Sequence, residues 1–218
     1  MDTVFEHAKT AIARVRDGDT VMCGGFGPAG LPVRLIDALL ESGRRDLTII
    51  SNNLGQPGKG LGALLRAGQV RRVVGSFFSG NPEVAAAQRD GGLEVTLLPQ
   101  GTFAEAIRAG GAGIPAFYTP TGAGTVLAEG KESRVFEDGR TYLLERALMA
   151  DVALVHANRS DRLGNLLHRG VAQNFNLAMA TAARLVIAEV DEVVPTGELA
   201  PAEISTPHLY VDVVAVPQ

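Results

Sequence analysis

DTVMCGGFGPAG, residues 19–30, runs from a short apolar segment into four glycines and a proline just ahead of a helix-like sequence. A strand that ends in glycines and passes into a helix brings backbone N–H groups to one point, which predicts a cradle for an anion or a phosphate. Gly25, Gly27 and Gly30 also satisfy G-x-G-x-x-G, the dinucleotide fingerprint in form. Alternatively the glycines serve only a tight strand-to-helix turn, since Pro28 and Pro32 suit a helix start.

Outward from this stretch the same cycle repeats. LPVRLIDALLESG spaces Leu31, Leu35, Ile36 and Leu39 on one helical face and stops at Gly43, a C-terminal cap. LTIIS is a fully apolar short strand leading into the polar loop SNNLGQPGKG. GLGALLRAGQ, PEVAAAQRDGG and FAEAIRAGG read as helices, and RRVVGSF and LEVTLLP as strands, the latter ending in the loop PQGT. Short strands alternating with helices predict an α/β fold: an open, mainly parallel sheet with helices on both faces. The loops GGFGPAG, SNNLG, SFFSGN and PQGT would then share the carboxyl rim, where such sheets bind ligands.

Further on, SRVFEDGRTYLLER gives two alternating runs joined through Asp138 and Gly139, a β-hairpin insertion. DVALVHAN, RLVIAEV and LYVDVVAVP return to buried strands, and QNFNLAMATAA to a helix. No repeat or composition break marks a linker, so residues 1–218 are expected to form a single domain. MDTVFEHAKTAIARVRDGD, residues 1–19, spaces Val4, Ala8, Ile12 and Val15 along one face and predicts an amphipathic N-terminal helix. AGGAGIPAFYTPTGAGTVLA, with its glycines, prolines and threonines, is a poor membrane span and reads as a buried or substrate-facing loop system.

The formal charge of -4 argues against a nucleic-acid or anionic-membrane partner. Cys23 is the one cysteine, which makes a reducing, cytoplasmic compartment the default and a small buried strand-end residue the expectation for its thiol. His7, His156, His168 and His208 are isolated from one another and from acidic partners at ligand spacing, so no metal site is expected, and His156 reads as structural. GQPGKG lacks the phosphate-loop spacing, which leaves Lys59 as a solvated loop charge. A dinucleotide site wants an acidic residue at the end of the next strand, yet Asp46 precedes Leu47 and the strand ends in Ser51, Asn52 and Asn53.

The ordered series GGFGPAG, LIDALLESG, DLTIISNN, LEVTLLPQGTFAEAIRAGGAGIPAFYTPTG, LAEGKE, YLLERAL, DRLGNL, ARLVIAEV, TGEL and STP spans nearly the whole chain. It resembles the α (A) subunit of family I coenzyme A transferases, close to the 3-oxoacid and 3-oxoadipate members that use succinyl-CoA. The resemblance implies an open α/β fold and an A2B2 assembly with a β subunit. There, a glutamate in a Glu-Asn-Gly-type motif attacks the acyl-CoA thioester. No Glu-Asn-Gly occurs in this chain, so the nucleophile is expected on the partner, with Glu129 and Glu145 as weaker candidates here.

By similarity, Gly24, Gly25, Phe26, Gly27, Pro28, Ala29 and Gly30 form the CoA-binding loop, and Gln100 sits near the oxyanion of the reacting thioester. Asn52 and Asn53 have the chemistry to orient a carboxylate substrate. Coenzyme A enters as a thioester substrate, and no permanently bound cofactor is expected. The alternatives are a nicotinamide-dependent oxidoreductase built on Gly25, Gly27 and Gly30, and a non-catalytic sugar-phosphate-binding domain.

Overall fold

The computed structural model describes residues 3–217. In chain order the elements are β1 (Val4–Glu6), α1 (Ala8–Ile12), β2 (Thr20–Cys23), α2 (Val33–Ser42), β3 (Leu47–Ile50), α3 (Leu61–Arg66), β4 (Val70–Gly75), α4 (Pro82–Arg89), β5 (Glu94–Leu97) and α5 (Gln100–Gly111). There follow β6 (Ala116–Thr119), β7 (Ser133–Val135), β8 (Thr141–Arg146), β9 (Ala150–Asp161), β10 (Leu166–Leu167), α6 (Asn176–Thr181), β11 (Ala183–Val194) and β12 (Val213–Ala215). The main sheet has the order β1-β12-β11-β9-β2-β3-β4-β5, with every neighbour parallel and β10 added antiparallel to β9.

The strands are near-continuous apolar runs because both faces are covered. Successive side chains alternate between faces: Val21 and Cys23 pack with Leu35 and Leu39 of α2 and Leu64 of α3, whereas Met22 packs with Phe103 and Ile107 of α5 and Met179 of α6. Helices α1 to α4 therefore cover one face and α5 and α6 the other. Each fully buried Leu or Ile of these layers contributes roughly 2 kcal/mol relative to exposure. Gly43 closes α2 with φ 67°, as its cap position requires.

Three expectations need correction. The N-terminal helix is confined to Ala8–Ile12; Val4 lies instead in β1, in register with Val213. Edge pairing with β12 gives residues 4–6 ladder partners that a surface helix would not, and this overrides the helical spacing. Met1 and Asp2, also part of that predicted helix, lie outside the described residues. The stretch read as a loop system contains β6, which pairs antiparallel with β8, so the hairpin of β7 and β8 is part of a three-stranded sheet. Its turn is the one expected, with Gly139 at φ 72° and its N–H donating to Phe136 O at 2.9 Å. Finally, Gln100 is not in a loop: Pro99 precedes it and Gln100 is the first residue of α5.

Candidate functional site

The carboxyl ends of β2, β3 and β4 and the start of α5 enclose a cleft of about 830 Å³. Phe26, Gly27 and Pro28 form one wall, Asn52 and Asn53 the floor next to β3, and loop 76–78 with Gln100 the opposite side. The four rim loops singled out in the sequence thus meet at one opening.

At its polar end the side-chain amides are locked by one another. Asn52, 4% exposed, donates through Nδ2 to Gln100 Oε1 at 2.8 Å and to Ser76 Oγ at 2.8 Å. Ser76 Oγ also donates to Gln100 Oε1. With its oxygen engaged by two donors, the Gln100 carboxamide has its orientation set, and its NH2 group has no acceptor among the described residues. Asn53 donates to Asn52 Oδ1 at 3.3 Å and accepts the Gly55 N–H at 2.8 Å. Asn52 is therefore committed to holding Gln100, while Asn53 retains one N–H beside the cleft.

The glycine loop differs from the open anion cradle that its sequence suggests. Gly24 N–H donates to Leu154 O at 3.0 Å and Gly25 N–H to Asn174 Oδ1 at 3.0 Å. Phe26 N–H and Ala29 O, and Ala29 N–H and Phe26 O, close a tight turn at 3.0 and 3.2 Å. Those four donors are already satisfied, while the Gly27 and Gly30 N–H groups have no acceptor among the described residues; beside them the loop offers the cleft shape and an apolar face, with Phe26 52% exposed.

Two asparagines outside the loop hold it in place. Asn174 Nδ2 donates to Ala29 O at 3.1 Å and Asn176 Nδ2 to Gly30 O at 3.0 Å. Gly24 has no side chain because an added Cβ would lie 1.8 Å from Asn176 Oδ1.

The dinucleotide reading fails at the next element. In a dinucleotide site the first turn of α2 would receive the pyrophosphate. Here the Leu35 N–H donates to Glu189 Oε2 at 2.9 Å, so a buried carboxylate already occupies that position. Burial pushes the Glu189 carboxyl above its ordinary range, against the opposing pull of the Leu35 N–H and Arg34.

The remaining candidates fall outside the cleft. Cys23 is fully buried at the end of β2, and burial followed by the nearby Glu189 pushes its thiol up, away from nucleophilic use. Glu145 is buried on β8 and paired with Lys131 Nζ at 2.6 Å, and Glu129 is exposed beyond the cleft lining. His156, read as a structural strand residue, has its Nε2 3.0 Å from Asp191 Oδ1, a partner brought alongside by the parallel pairing of β9 and β11. Lys59, expected to be a solvated charge, is exposed and also lines the cleft. Sequence reasoning missed Ser76 as a partner of Gln100 and missed Asn174 and Asn176 altogether. Ser76 lay within the rim loop SFFSGN, whereas nothing local in QNFN points to the glycine loop.

The residue profile described as "Coenzyme A transferase" matches residues 5–216. The chain belongs to the coenzyme A transferase family. Within it, this chain is 51% identical over 219 residues to the A subunit of the 3-oxoadipate CoA-transferase of Pseudomonas putida, covering 99% of this chain and 94% of the relative. It is 48% identical over 211 residues to the A subunit of the succinyl-CoA:3-ketoacid coenzyme A transferase of Helicobacter pylori strain J99, covering 97% and 90% of the two. The fold matches an acyl-CoA transferase from Escherichia coli O157:H7, solved as a thioester complex with CoA, with a TM-score of 0.89 at 21% identity. All of this transferase-family chain is covered in that match, and it spans 47% of the solved chain. The mainly parallel open sheet and the second, antiparallel sheet are thus those of a transferase subunit, and the oxidoreductase alternative has no support.

Proposed function

We propose that this chain is the A subunit of a CoA-transferase that moves CoA from succinyl-CoA to a 3-oxo acid, acetoacetate or 3-oxoadipate. The observation that carries the reading is the Gln100 carboxamide, fixed through its oxygen by Asn52 and Ser76 and left with a free NH2 at the cleft. A donor held in that way suits a charge that appears only in the transition state.

The nucleophile is a glutamate of the β subunit. Its carboxylate adds to the thioester carbonyl, and the negative charge moves to the former carbonyl oxygen, where Gln100 Nε2 donates. Collapse breaks the C–S bond and leaves an acyl-glutamyl anhydride and the CoA thiolate. The thiolate then attacks the glutamyl carbonyl, releasing succinate and forming a glutamyl-CoA thioester. The acceptor carboxylate repeats both steps in reverse, returning the glutamate and giving the new acyl-CoA. No redox partner or net proton is needed, which agrees with a cleft built from amides.

In this reading residues 1–218 act as one subunit domain, assembled as A2B2 in the cytoplasm. Phe26, Gly27 and Pro28, carried between Gly24, Gly25, Ala29 and Gly30, form the wall against which the CoA chain lies, and Asn53 orients the reacting carboxylate. Coenzyme A is a substrate and no cofactor stays bound. Two A-subunit relatives about half identical to this chain, together with the missing Glu-Asn-Gly motif, support an active site completed by another chain.

The test is co-purification with the β subunit, followed by assay of succinyl-CoA against a panel of 3-oxo acids. The complex turns over with ping-pong kinetics and the single chain does not. Turnover by the single chain, or NAD(H) binding without affinity for CoA esters, overturns the reading.

A further inference from the structure

Among the cleft-lining residues Lys59 is the one that carries a charge, the rest being amides, a serine, glycines, a proline and apolar side chains. The other lysines are already paired, Lys9 with Glu41 at 2.7 Å and Lys131 with Glu145 at 2.6 Å, while Lys59 has no carboxylate partner among the described residues. Its backbone is pinned on both sides: Lys59 N–H donates to Gln56 O at 3.1 Å and Lys59 O accepts the Gly62 N–H at 3.0 Å. The flanking Gly58 and Gly60 take φ values of 66° and 52°, so a left-handed backbone on either side sets where the lysine stem emerges.

The chemistry of the proposed reaction gives this unpaired cation a use. A monocarboxylic acid loses its only charge when it becomes a thioester. A dicarboxylic acid such as succinate or 3-oxoadipate keeps one carboxylate ionised through every step, and that charge must sit in a cleft walled by Phe26, Leu31, Leu54, Phe77 and Phe78. An ionised carboxylate brought against such walls is costly unless a counter-charge meets it.

We infer that Lys59 is the specificity-determining residue of the cleft and receives the second, non-reacting carboxylate of a dicarboxylic acyl group. The inference rests on the transferase reading above. It goes beyond that reading by assigning discrimination between dicarboxylic and monocarboxylic acids to one side chain.

The experiment uses the chain assembled with its β subunit. Acetoacetyl-CoA serves as donor, so that the donor carries no second carboxylate. Acceptors are succinate and 3-oxoadipate on one side and isotopically labelled acetoacetate on the other. For Lys59→Met, the ratio of kcat/KM for dicarboxylic over monocarboxylic acceptors should fall roughly tenfold to a hundredfold, the range of a lost charged hydrogen bond. The change should sit in the KM of the diacid, and Lys59→Arg should restore most of the ratio.

An unchanged ratio overturns the inference. So does an equal loss for both acid classes through a raised KM for acetoacetyl-CoA, which would assign the lysine to a CoA phosphate. Loss of co-elution between the Lys59→Met chain and the β subunit overturns it too, by assigning the lysine to a carboxylate of the partner chain. Failure of the transferase reading itself is distinguishable, because the wild-type complex would then exchange no CoA before any variant is made.

Discussion

Glu189 on β11 places its carboxylate 2.9 Å from the backbone N–H of Leu35, in the first turn of α2. The strand that follows the crossover thereby caps the helix that follows the glycine loop, and the two are locked together with the Arg34 guanidinium 3.6 Å from the same carboxylate. The folded carboxyl holds its proton more tightly than an unfolded one, because burial outweighs the Leu35 and Arg34 contributions. Its contribution to stability is therefore fully present below the ordinary carboxylate range and is lost as pH rises through the raised value. Glu189→Gln keeps an acceptor for Leu35 and removes the buried charge. Its stability relative to wild type, read from denaturant midpoints, should increase between pH 5 and pH 8. Glu189→Ala, which leaves the N–H without an acceptor, should lie about 1–3 kcal/mol below Glu189→Gln at either pH. A pH-independent difference for Glu189→Gln would contradict the assignment.

Gln100 and Asn52 should behave as a unit. Gln100→Ala in the assembled enzyme is expected to lower kcat by about a hundredfold with little change in KM, the cost of one donor used in the transition state. Asn52→Ala removes the group that holds Gln100 Oε1 at 2.8 Å, so it should lower kcat in the same sense. The double variant should lose far less than the product of the two single losses. Multiplicative losses would mean that Asn52 acts on substrate directly.

His168 offers a second pH signature, of opposite sign to that of Glu189. It is buried against Thr206, with 3.0 Å between Nε2 and Oγ1, and burial lowers its pKa to about 4. The folded chain resists protonation there, so stability is present above the ordinary histidine value and is lost as pH falls toward 4. The loss should amount to no more than about 3 kcal/mol between pH 6.5 and pH 4. His168→Gln should flatten that part of the stability profile, as measured by urea midpoints at pH 7 and pH 4.5. A steep profile retained in the variant would place the acid-labile group elsewhere.

The sheet was legible in the chain because parallel strands buried on two faces leave an unmistakable record. Leu47, Thr48, Ile49 and Ile50 are all buried, and glycine loops bracket most of the rest. β1 was not legible, since the partner that makes Val4 a strand residue is Val213 at the opposite end of the chain. In the site, Asn52 and Asn53 followed from lying at the end of β3 and Gln100 from the family resemblance, but their division of labour depended on the 2.8 Å contact between Asn52 and Gln100. The glycine loop misled for the same reason. Gly25 N–H looked available until the fold brought Asn174, 149 residues away, onto it. Local pattern reports what a segment can do alone, and these contacts exist only after the crossovers are made.

The glycines of that loop should then divide sharply on substitution, and not according to their backbone angles alone. Gly27 has φ 58° with nothing within 4 Å of an added Cβ, so Gly27→Ala carries only the strain of a left-handed alanine, about 1 kcal/mol. Gly24 needs no left-handed backbone, yet its Cβ would lie 1.8 Å from Asn176 Oδ1. Asn176 cannot yield: it is fully buried, accepts the His156 N–H at 3.0 Å, and donates to Gly30 O at 3.0 Å and Ala172 O at 2.8 Å. Gly24→Ala should therefore break the clamp and cost upwards of about 3 kcal/mol, in the range of lost buried hydrogen-bond networks. Asn176→Ala opens the space that the new methyl group needs, while forfeiting its own bonds. Adding Gly24→Ala to Asn176→Ala should then cost much less than adding it to wild type, a coupling that thermal or urea unfolding of the four proteins would measure. Additive losses would mean that the Gly24 side of the loop is not held by Asn176.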